Sequence, residues 1–177
     1  MIMSTSSSNV VLTNWNSLDA ASAAREVLPC CGSTAWAEGL AALRPFADTN
    51  ELFMVSDRVW GGLAADDWQE AFDSHPRIGQ QHARAATAES LAWSSHEQRA
   101  AMSTEDATKL ALAEGNRQYE ERFGRIFIVC AAGKSAAEIL AILNARMSHT
   151  AADELLEAAE QQRQITQLRL RRWLGVS

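Results

Sequence analysis

The pentapeptide His75-Pro76-Arg77-Ile78-Gly79 places an imidazole in a short segment with a restricted backbone. Proline fixes its own φ and disfavours the helical conformation for the residue before it, so His75 is held on a preset backbone. A histidine held in this way is suited to proton transfer near neutral pH. A His-Pro step can also simply end a helix and leave the ring in solvent, so the pentapeptide alone leaves both interpretations open.

Arg169 ends a stripe of residues that follow three- and four-residue spacing along the predicted last helix. The other members of the stripe are Leu155, Ala158, Gln162 and Ile165. This spacing predicts that the guanidinium of Arg169 faces inward. An inward arginine needs an anion, which can be a bound ligand or a carboxylate of the same chain, and a long side chain near a helix end can also reach solvent.

Glu97 lies in the pattern Ser94-x-x-Glu97, which is typical of a capping box. In that structural role the carboxylate accepts a hydrogen bond from the main chain of Ser94. The same geometry would present helix-start amides and hydroxyls to a polar ligand, with Glu97 handling a proton. The two roles do not exclude each other.

Metal and nucleophilic chemistry have little support in the sequence. The four histidines show no ligand spacing of the H-E-x-x-H kind, and there is no G-x-S-x-G elbow. The three cysteines, Cys30, Cys31 and Cys130, form neither a C-x-x-C pair nor an even disulfide framework, which favours reduced thiols in a cytoplasm. Acid–base and electrostatic catalysis without a metal or organic cofactor is what remains.

Length and composition indicate one helical domain. The chain has 177 residues, 47% of them hydrophobic, with three prolines and nine glycines. These values favour a single compact all-α domain. The formal charge of −6 and the scattered basic residues argue against a nucleic-acid partner, and no apolar run is long enough for a membrane span.

The two chain ends give expectations about location. Residues 1–9 are rich in serine and lack the basic start and apolar centre of a signal peptide, so we expect a disordered leader before a helical domain at 10–177. The final residues, Gly175-Val176-Ser177, are not the Ser-Lys-Leu peroxisomal signal. We therefore expect the protein in the cytoplasm.

Caps and chain breakers predict a series of helices. The first four are expected from Ser17 to Pro29, from Ser33 or Thr34 to Arg44, from Asp48–Asn50 to Gly61, and from about Asp66 to Asp73, directly before the His-Pro loop. Three more are expected from after Ser103 to Gly124, from the capping box Ser135-x-x-Glu138 to about Met147, and from Thr150 or Asp153 almost to the C-terminus. Four aromatic side chains are predicted to be core: Trp36, Phe46, Phe53 and Trp60.

The run Arg125-Ile126-Phe127-Ile128-Val129-Cys130-Ala131 has the composition of a buried strand. In a helical domain such a strand has no ladder partner, so its main-chain groups need other acceptors and donors. A polar, amide-rich ligand could supply them, and so could water and side chains.

Several of these motifs together resemble the 2-oxo-4-hydroxy-4-carboxy-5-ureidoimidazoline (OHCU) decarboxylase family, which catalyses the last step of the oxidation of urate to allantoin. The matching stretches are Leu28-Pro29-Cys30-Cys31-Gly32-Ser33, Ser74-His75-Pro76-Arg77-Ile78-Gly79, Ser94-Ser95-His96-Glu97-Gln98, Asn116-Arg117-Gln118-Tyr119-Glu120-Glu121-Arg122-Phe123-Gly124 and Leu168-Arg169-Leu170. The resemblance implies an all-α, cofactor-independent enzyme that commonly forms a homodimer.

The resemblance also implies the roles of individual residues. By motif match, His75 is expected to be the catalytic histidine, with Glu97 and Arg169 completing the polar site. The residues expected to line the substrate are Pro76, Ser94, Ser95, His96, Gln98, Phe127, Ile128, Val129, Cys130 and Ala131, the last five through their main chain. Arg77 is not expected to be catalytic, and a solvated or helix-capping role is anticipated for it; the His96 side chain is not required for binding.

The expected substrate is a ureidoimidazoline carboxylate, and the expected product is S-allantoin. We expect Arg169 to hold a substrate oxygen while His75 and Glu97 manage the hydroxyl proton and the enol-like intermediate. Functional coupling to urate-oxidising and 5-hydroxyisourate-hydrolysing enzymes is anticipated. Two alternatives remain: a hydrolase of a neighbouring metabolite, and a catalytically silent helical domain that binds a ureide or a protein.

Overall fold

The computed structural model describes residues 9–77 and 106–177, which form a single all-α domain. Eight helices are described: α1 (Val10–Asn16), α2 (Ala20–Cys31), α3 (Thr34–Ala42), α4 (Thr49–Gly61), α5 (Ala65–Asp73), α6 (Asp106–Phe123), α7 (Ala136–Arg146) and α8 (Ala151–Leu174). Within these two ranges there is no β-strand. The all-α prediction is therefore confirmed, and the expected leader, apart from Asn9, lies outside the described residues.

Side-chain caps start four of the described helices where the sequence predicts them. Ser33, Asp48 and Thr150 each accept a hydrogen bond from a main-chain amide in the first turn of α3, α4 and α8. Ser135 and Glu138 form the predicted capping box of α7. Gly124 ends α6 with a φ of +70°, whereas the predicted start of this helix at Ser103 lies outside the described residues.

The N-terminal region differs from the prediction. Ser17 does not start α2; it ends α1, a helix that the sequence analysis missed, and Asp19 caps α2 by accepting from the Ser22 amide at 2.9 Å. The helix also continues through Pro29 to Cys31. A proline removes only one helical hydrogen bond, and the burial of Cys30 and Cys31 favours the additional turn.

Gly32 ends α2 and brings it against the loop after α5. Its φ is +90°, and a Cβ at this position would lie 2.1 Å from Ser74 Oγ. Only glycine permits both this conformation and this close approach. The end of α2 therefore lies directly beside the residue that precedes His75.

The extended segment, residues 126–131, lies between two hydrophobic clusters. Ile126, Ile128 and Cys130 belong to the larger cluster, which includes the predicted core residues Trp36, Phe46, Phe53 and Trp60. Phe127, Val129 and Ala131 belong to a smaller cluster with side chains of α6 and α7. The side chains thus alternate as they would in a strand, but the segment has no ladder partner among the described residues and is an irregular extended loop. The prediction of a strand is therefore wrong, whereas the extended conformation expected for this apolar run is confirmed.

The 24-residue helix α8 organises the larger core. It packs against α1, α2, α4 and α5, and Trp60 of α4 donates through Nε1 to the Ala159 carbonyl at 2.9 Å. Helix α6 packs against α7. None of the helices described over 9–77 and 106–177 is long and apolar enough to cross a membrane.

Candidate active site

His75 lies in the turn that follows α5. Its main-chain amide donates to the Phe72 carbonyl at 3.1 Å, and Ser74 donates through Oγ to the Ala71 carbonyl at 2.7 Å. The histidine is buried, with 8% of its surface exposed, and Pro76 is buried beside it. The His75-Pro76 step thus places the ring inside the protein rather than in solvent.

Two residues of α8 contact the imidazole of His75. Its Nε2 lies 2.7 Å from Gln162 Oε1, and its Nδ1 lies 3.5 Å from Arg169 Nη2. Gln162 and Arg169 are seven residues apart, which is two helical turns and places both on one face. Arg169 is completely buried, as its spacing predicts, and its Nη1 lies 3.5 Å from the Pro29 carbonyl oxygen.

The surroundings of His75 keep its ring neutral. Burial, and after it the neighbouring Arg169 guanidinium, lower the pKa of His75 to about 3, although the hydrogen bond with Gln162 partly opposes both effects. At pH 7 the ring therefore has one unprotonated nitrogen that can accept a proton. A neutral base beside a fixed cation is suited to taking a proton from a group whose negative charge the cation stabilises.

The neighbouring thiols are not nucleophiles. Cys30 and Cys31 are buried at the end of α2, and burial raises the pKa of Cys31 to about 12 and raises that of Cys30 as well. Both thiols are therefore protonated at neutral pH and unreactive. This agrees with acid–base rather than covalent chemistry at the site.

Side chains satisfy several main-chain groups of the extended segment. Arg146 donates to the Ile128 carbonyl at 2.7 Å, and Lys134 donates to the Cys130 carbonyl at 2.8 Å. The Cys130 amide donates to Gln161 Oε1 at 2.9 Å. The sequence left open whether a ligand or side chains and water satisfy the main-chain groups of this segment. For these three groups the partners are side chains. Gln161 precedes Gln162 in α8, so consecutive glutamines connect the segment and His75 to one helix.

Arg77 connects the His-Pro loop to α6. Its Nη2 donates to Glu120 Oε2 at 2.6 Å, its Nε contacts the other carboxylate oxygen, and the Arg77 side chain is 37% exposed. The anticipated solvated or helix-capping role is therefore replaced by an ion pair between two elements. Arg77 holds the loop in place and does not contact the His75 ring.

The sequence profile of the OHCU decarboxylase family, a family of carboxy-lyases, matches residues 16–171. The chain belongs to this family. It is 35% identical over 142 residues to the uric acid degradation bifunctional protein TTL of Arabidopsis thaliana, covering 80% of this chain and 44% of that protein. It is 30% identical over 129 residues to the 2-oxo-4-hydroxy-4-carboxy-5-ureidoimidazoline decarboxylase of Amia calva, covering 72% of this chain and 73% of that one.

Solved structures agree with the family assignment. A crystal structure of OHCU decarboxylase in the presence of (S)-allantoin matches with a TM-score of 0.73 at 32% identity, covering 85% of this chain and 97% of that one. A crystal structure of (S)-allantoin synthase matches with a TM-score of 0.68 at 21% identity and supports the fold. This chain spans less than half of the bifunctional relative, with 44% of it covered.

Part of the OHCU decarboxylase site predicted from sequence falls outside the described residues. Glu97 and the substrate-lining residues Ser94, Ser95, His96 and Gln98 lie between 78 and 105. Their roles stay predictions, as do the catalytic roles of His75 and Arg169. In the two described ranges, no group of three or more His, Cys, Asp or Glu side chains is arranged to hold a metal ion.

Sequence reasoning missed Gln162, the residue of α8 that contacts His75 Nε2. Gln162 lies on the same predicted stripe as Arg169 but was treated only as a marker of the inward face. A polar residue on an otherwise apolar stripe is itself a signal, because a buried amide requires hydrogen-bond partners. The partner could not be identified, because His75 is 87 residues away in sequence.

Proposed function

We propose that the chain is an OHCU decarboxylase, which converts 2-oxo-4-hydroxy-4-carboxy-5-ureidoimidazoline to (S)-allantoin. The observation that carries the proposal is the buried, neutral His75 with its Nδ1 3.5 Å from the buried Arg169 guanidinium. The membership in the OHCU decarboxylase family supports it. The proposed reaction uses no metal or organic cofactor.

The substrate itself accepts the electrons that the reaction releases. Its carboxylate and hydroxyl share one carbon, which lies next to a ring imine. When the bond to the carboxylate breaks, the electron pair moves toward the imine nitrogen, which takes up a proton, and carbon dioxide leaves. The hydroxyl then loses its proton and the neighbouring carbon gains one, so the whole reaction consumes one proton. The protein has to orient the substrate and move protons.

Arg169 is proposed to hold an anionic or carbonyl oxygen of the substrate. Its guanidinium is a planar donor fork suited to such an oxygen, and it is completely buried, so the interaction is not weakened by solvent. The net charge of −6 opposes the approach of an anion, which makes a local cation necessary. His75, beside it, is proposed to take the hydroxyl proton, with Glu97 as its partner in proton handling.

Main-chain groups of the extended segment are proposed to line the substrate together with Pro76 and residues 94–98. The Ile128 carbonyl points toward Arg146. Because a trans peptide is planar, the Val129 amide of the same peptide points the opposite way. The Cys130 amide already donates to Gln161, so the Val129 amide is the better candidate for a substrate contact.

The activity test is to generate the unstable ureidoimidazoline from urate with the two upstream enzymes, add this protein, and follow the circular dichroism of allantoin. We expect rapid formation of the S-enantiomer with the wild type, and slow formation of racemic product with His75→Ala. A folded wild-type protein that gives no acceleration would exclude the decarboxylase. In that case calorimetry would test whether the protein binds the ureide. Binding without turnover would favour the silent binding domain over an enzyme that acts on another substrate.

We also propose that the protein is a cytoplasmic homodimer that works alongside the other enzymes of urate oxidation. The bifunctional uric acid degradation protein TTL, of which this chain covers 44%, supports such a coupling. Light scattering at the working concentration tests the dimer, and a mass of 19.3 kDa would contradict it. Fluorescence of a tagged chain in cells tests the location, and co-purification with the upstream enzymes tests physical contact.

A further inference from the structure

The amide of Gln162 has a single possible orientation. Its Nε2 lies 3.2 Å from the Cys31 carbonyl oxygen and 3.2 Å from Thr166 Oγ1. A carbonyl oxygen can only accept, so the nitrogen of the amide must face Cys31. The oxygen of the amide then faces His75, and it also can only accept.

This orientation determines which nitrogen of His75 carries the proton. Gln162 Oε1 lies 2.7 Å from His75 Nε2, and two acceptors cannot share a hydrogen bond, so Nε2 must be protonated. The other side of the ring gives the same answer, because Arg169 Nη2 is a donor and lies 3.5 Å from Nδ1. Burial and the neighbouring Arg169 keep the ring neutral at pH 7, which is consistent with a single ring proton.

We propose that Gln162 is a positioning residue that keeps the proton of His75 on Nε2, so that Nδ1 is the nitrogen that takes the substrate's hydroxyl proton. The task of Nδ1 rests on the decarboxylase function proposed above, whereas the position of the ring proton does not. In the transfer, the hydroxyl O–H bond breaks and an Nδ1–H bond forms. The resulting imidazolium keeps its Nε2 proton in the hydrogen bond to Gln162.

The position of Arg169 agrees with this assignment. A substrate oxygen held by the guanidinium lies on the Nδ1 side of the ring, whereas Nε2 faces the protein interior and contacts Gln162. Gln162 itself is completely buried. It therefore acts through His75 and is proposed to orient the ring without touching the substrate.

The first test is nitrogen NMR of the imidazole rings in the free wild-type protein at pH 7. The His75 resonances are assigned by their loss in His75→Asn, since the chain has four histidines. We expect a protonated Nε2 and an unprotonated Nδ1. A proton on Nδ1 would overturn the proposal. Because this measurement needs no substrate, it stands even if the decarboxylase function fails.

Two variants test the role of Gln162 in setting the tautomer and the rate. Gln162→Glu keeps an oxygen that only accepts, so Nε2 should remain protonated in the same NMR experiment. Gln162→Met removes the acceptor at similar length, and we expect kcat to fall on the order of ten- to a hundredfold, as for other partners that orient functional histidines, with KM little changed.

The matched control is Gln164→Met, which changes a half-buried glutamine of the same helix that donates to Glu160 at 2.9 Å. We expect its kcat and KM to equal those of the wild type. Equal kcat for the two methionine variants would contradict a positioning role of Gln162. So would a loss in Gln162→Met that appears only in KM, since Gln162 is not proposed to touch the substrate.

Discussion

Two buried polar clusters lie along α8, and each contains an arginine and a histidine. The first, here the Glu154 cluster, joins Glu154 to Tyr119, Arg146 and His149. The second, the His75 cluster, joins His75 to Gln162 and Arg169, with Thr166 accepting from Gln162. The two clusters are built from similar side chains, but they differ in the groups that contact the arginine within the described residues.

In the Glu154 cluster a carboxylate of the same chain balances the arginine. Arg146 donates to Glu154 Oε1 through Nε at 2.9 Å, and the two side chains are 4% and 0% exposed. Burial and the hydrogen bond to Glu154 also raise the pKa of Tyr119, so its hydroxyl stays a donor. Arg146 of this cluster also donates to the Ile128 carbonyl and holds it in place. Its role is structural.

In the His75 cluster the described acceptors are neutral. They are the Gln162 amide oxygen, the Cys31 and Pro29 carbonyls, and His75 Nδ1. Arg146 and Arg169 are both buried. Burial alone therefore does not show whether an arginine has a structural or a functional role, and the groups that contact it must also be known.

The largest expected effect is on catalysis by the His75 cluster. His75→Asn should lower the rate of decarboxylation by about two to four orders of magnitude, because a general base is lost. His149→Asn, the matching change in the Glu154 cluster, should leave turnover within a few-fold of the wild type. The circular dichroism assay measures the turnover. Near-normal turnover of a folded His75→Asn protein would contradict a catalytic role of the His75 cluster.

The largest expected effect on stability comes from the Glu154 cluster. Arg146→Met leaves the buried Glu154 carboxylate without its charged partner and should lower the free energy of unfolding by about 3–5 kcal/mol. Urea denaturation measures this value. Arg117→Met, which removes exposed ion pairs of α6, should change it little. The double variant Arg146→Met with Glu154→Leu should recover part of the loss, and a double variant as unstable as the single one would argue against the ion pair as the cause.

Arg169→Lys is expected to reduce kcat/KM by about ten- to a hundredfold, the size of one hydrogen bond to a charged group. An ammonium group cannot reproduce the planar fork that is proposed to hold the substrate. Arg117→Lys, which changes an exposed arginine of α6, should leave kcat/KM within a few-fold of the wild type. Steady-state kinetics gives kcat/KM for the two variants. Equal kcat/KM values would contradict a substrate contact by Arg169.

The smallest expected effect is the loss of stability that His75 produces over the first pH unit below 6.5. Its pKa is 6.5 in a reference state and about 3 in the folded protein, so the unfolded chain binds a proton more readily between these values. The contribution of His75 to stability is therefore fully present above pH 6.5 and falls as the pH decreases toward 3, by about 1 kcal/mol over the first pH unit below 6.5. In His75→Asn this contribution should be absent. Urea denaturation at several pH values checks it, and identical slopes for the two proteins would contradict a neutral buried His75.

Local signals in the sequence were sufficient for much of the fold. Caps such as Asp48, Ser135 and Thr150 start helices as predicted because capping depends on residues three positions apart. The spacing of Arg169 likewise predicts its burial. Pro29 was misjudged because the local preference of proline to break a helix was outweighed by tertiary burial of the residues after it.

The polar partners within the site were less predictable. The bond between Gln162 and Cys31 joins residues 131 positions apart, and Arg146 and Tyr119 meet Glu154 from two other helices. Nothing in the local sequence distinguishes Glu154 from a carboxylate in the first turn of an exposed helix. Such pairs are decided by packing of whole helices, which neither spacing nor composition reveals.

The alternation of side chains in residues 126–131 limits how the length of that segment can change. Each residue contributes to one of two cores, with Ile126, Ile128 and Cys130 on one side and Phe127, Val129 and Ala131 on the other. Deleting or inserting a single residue would exchange the two sets and move every later side chain into the wrong core. Apolar side chains of this segment can therefore be replaced by others of similar volume. Residues can be inserted or deleted only in even numbers if the alternation is to be kept.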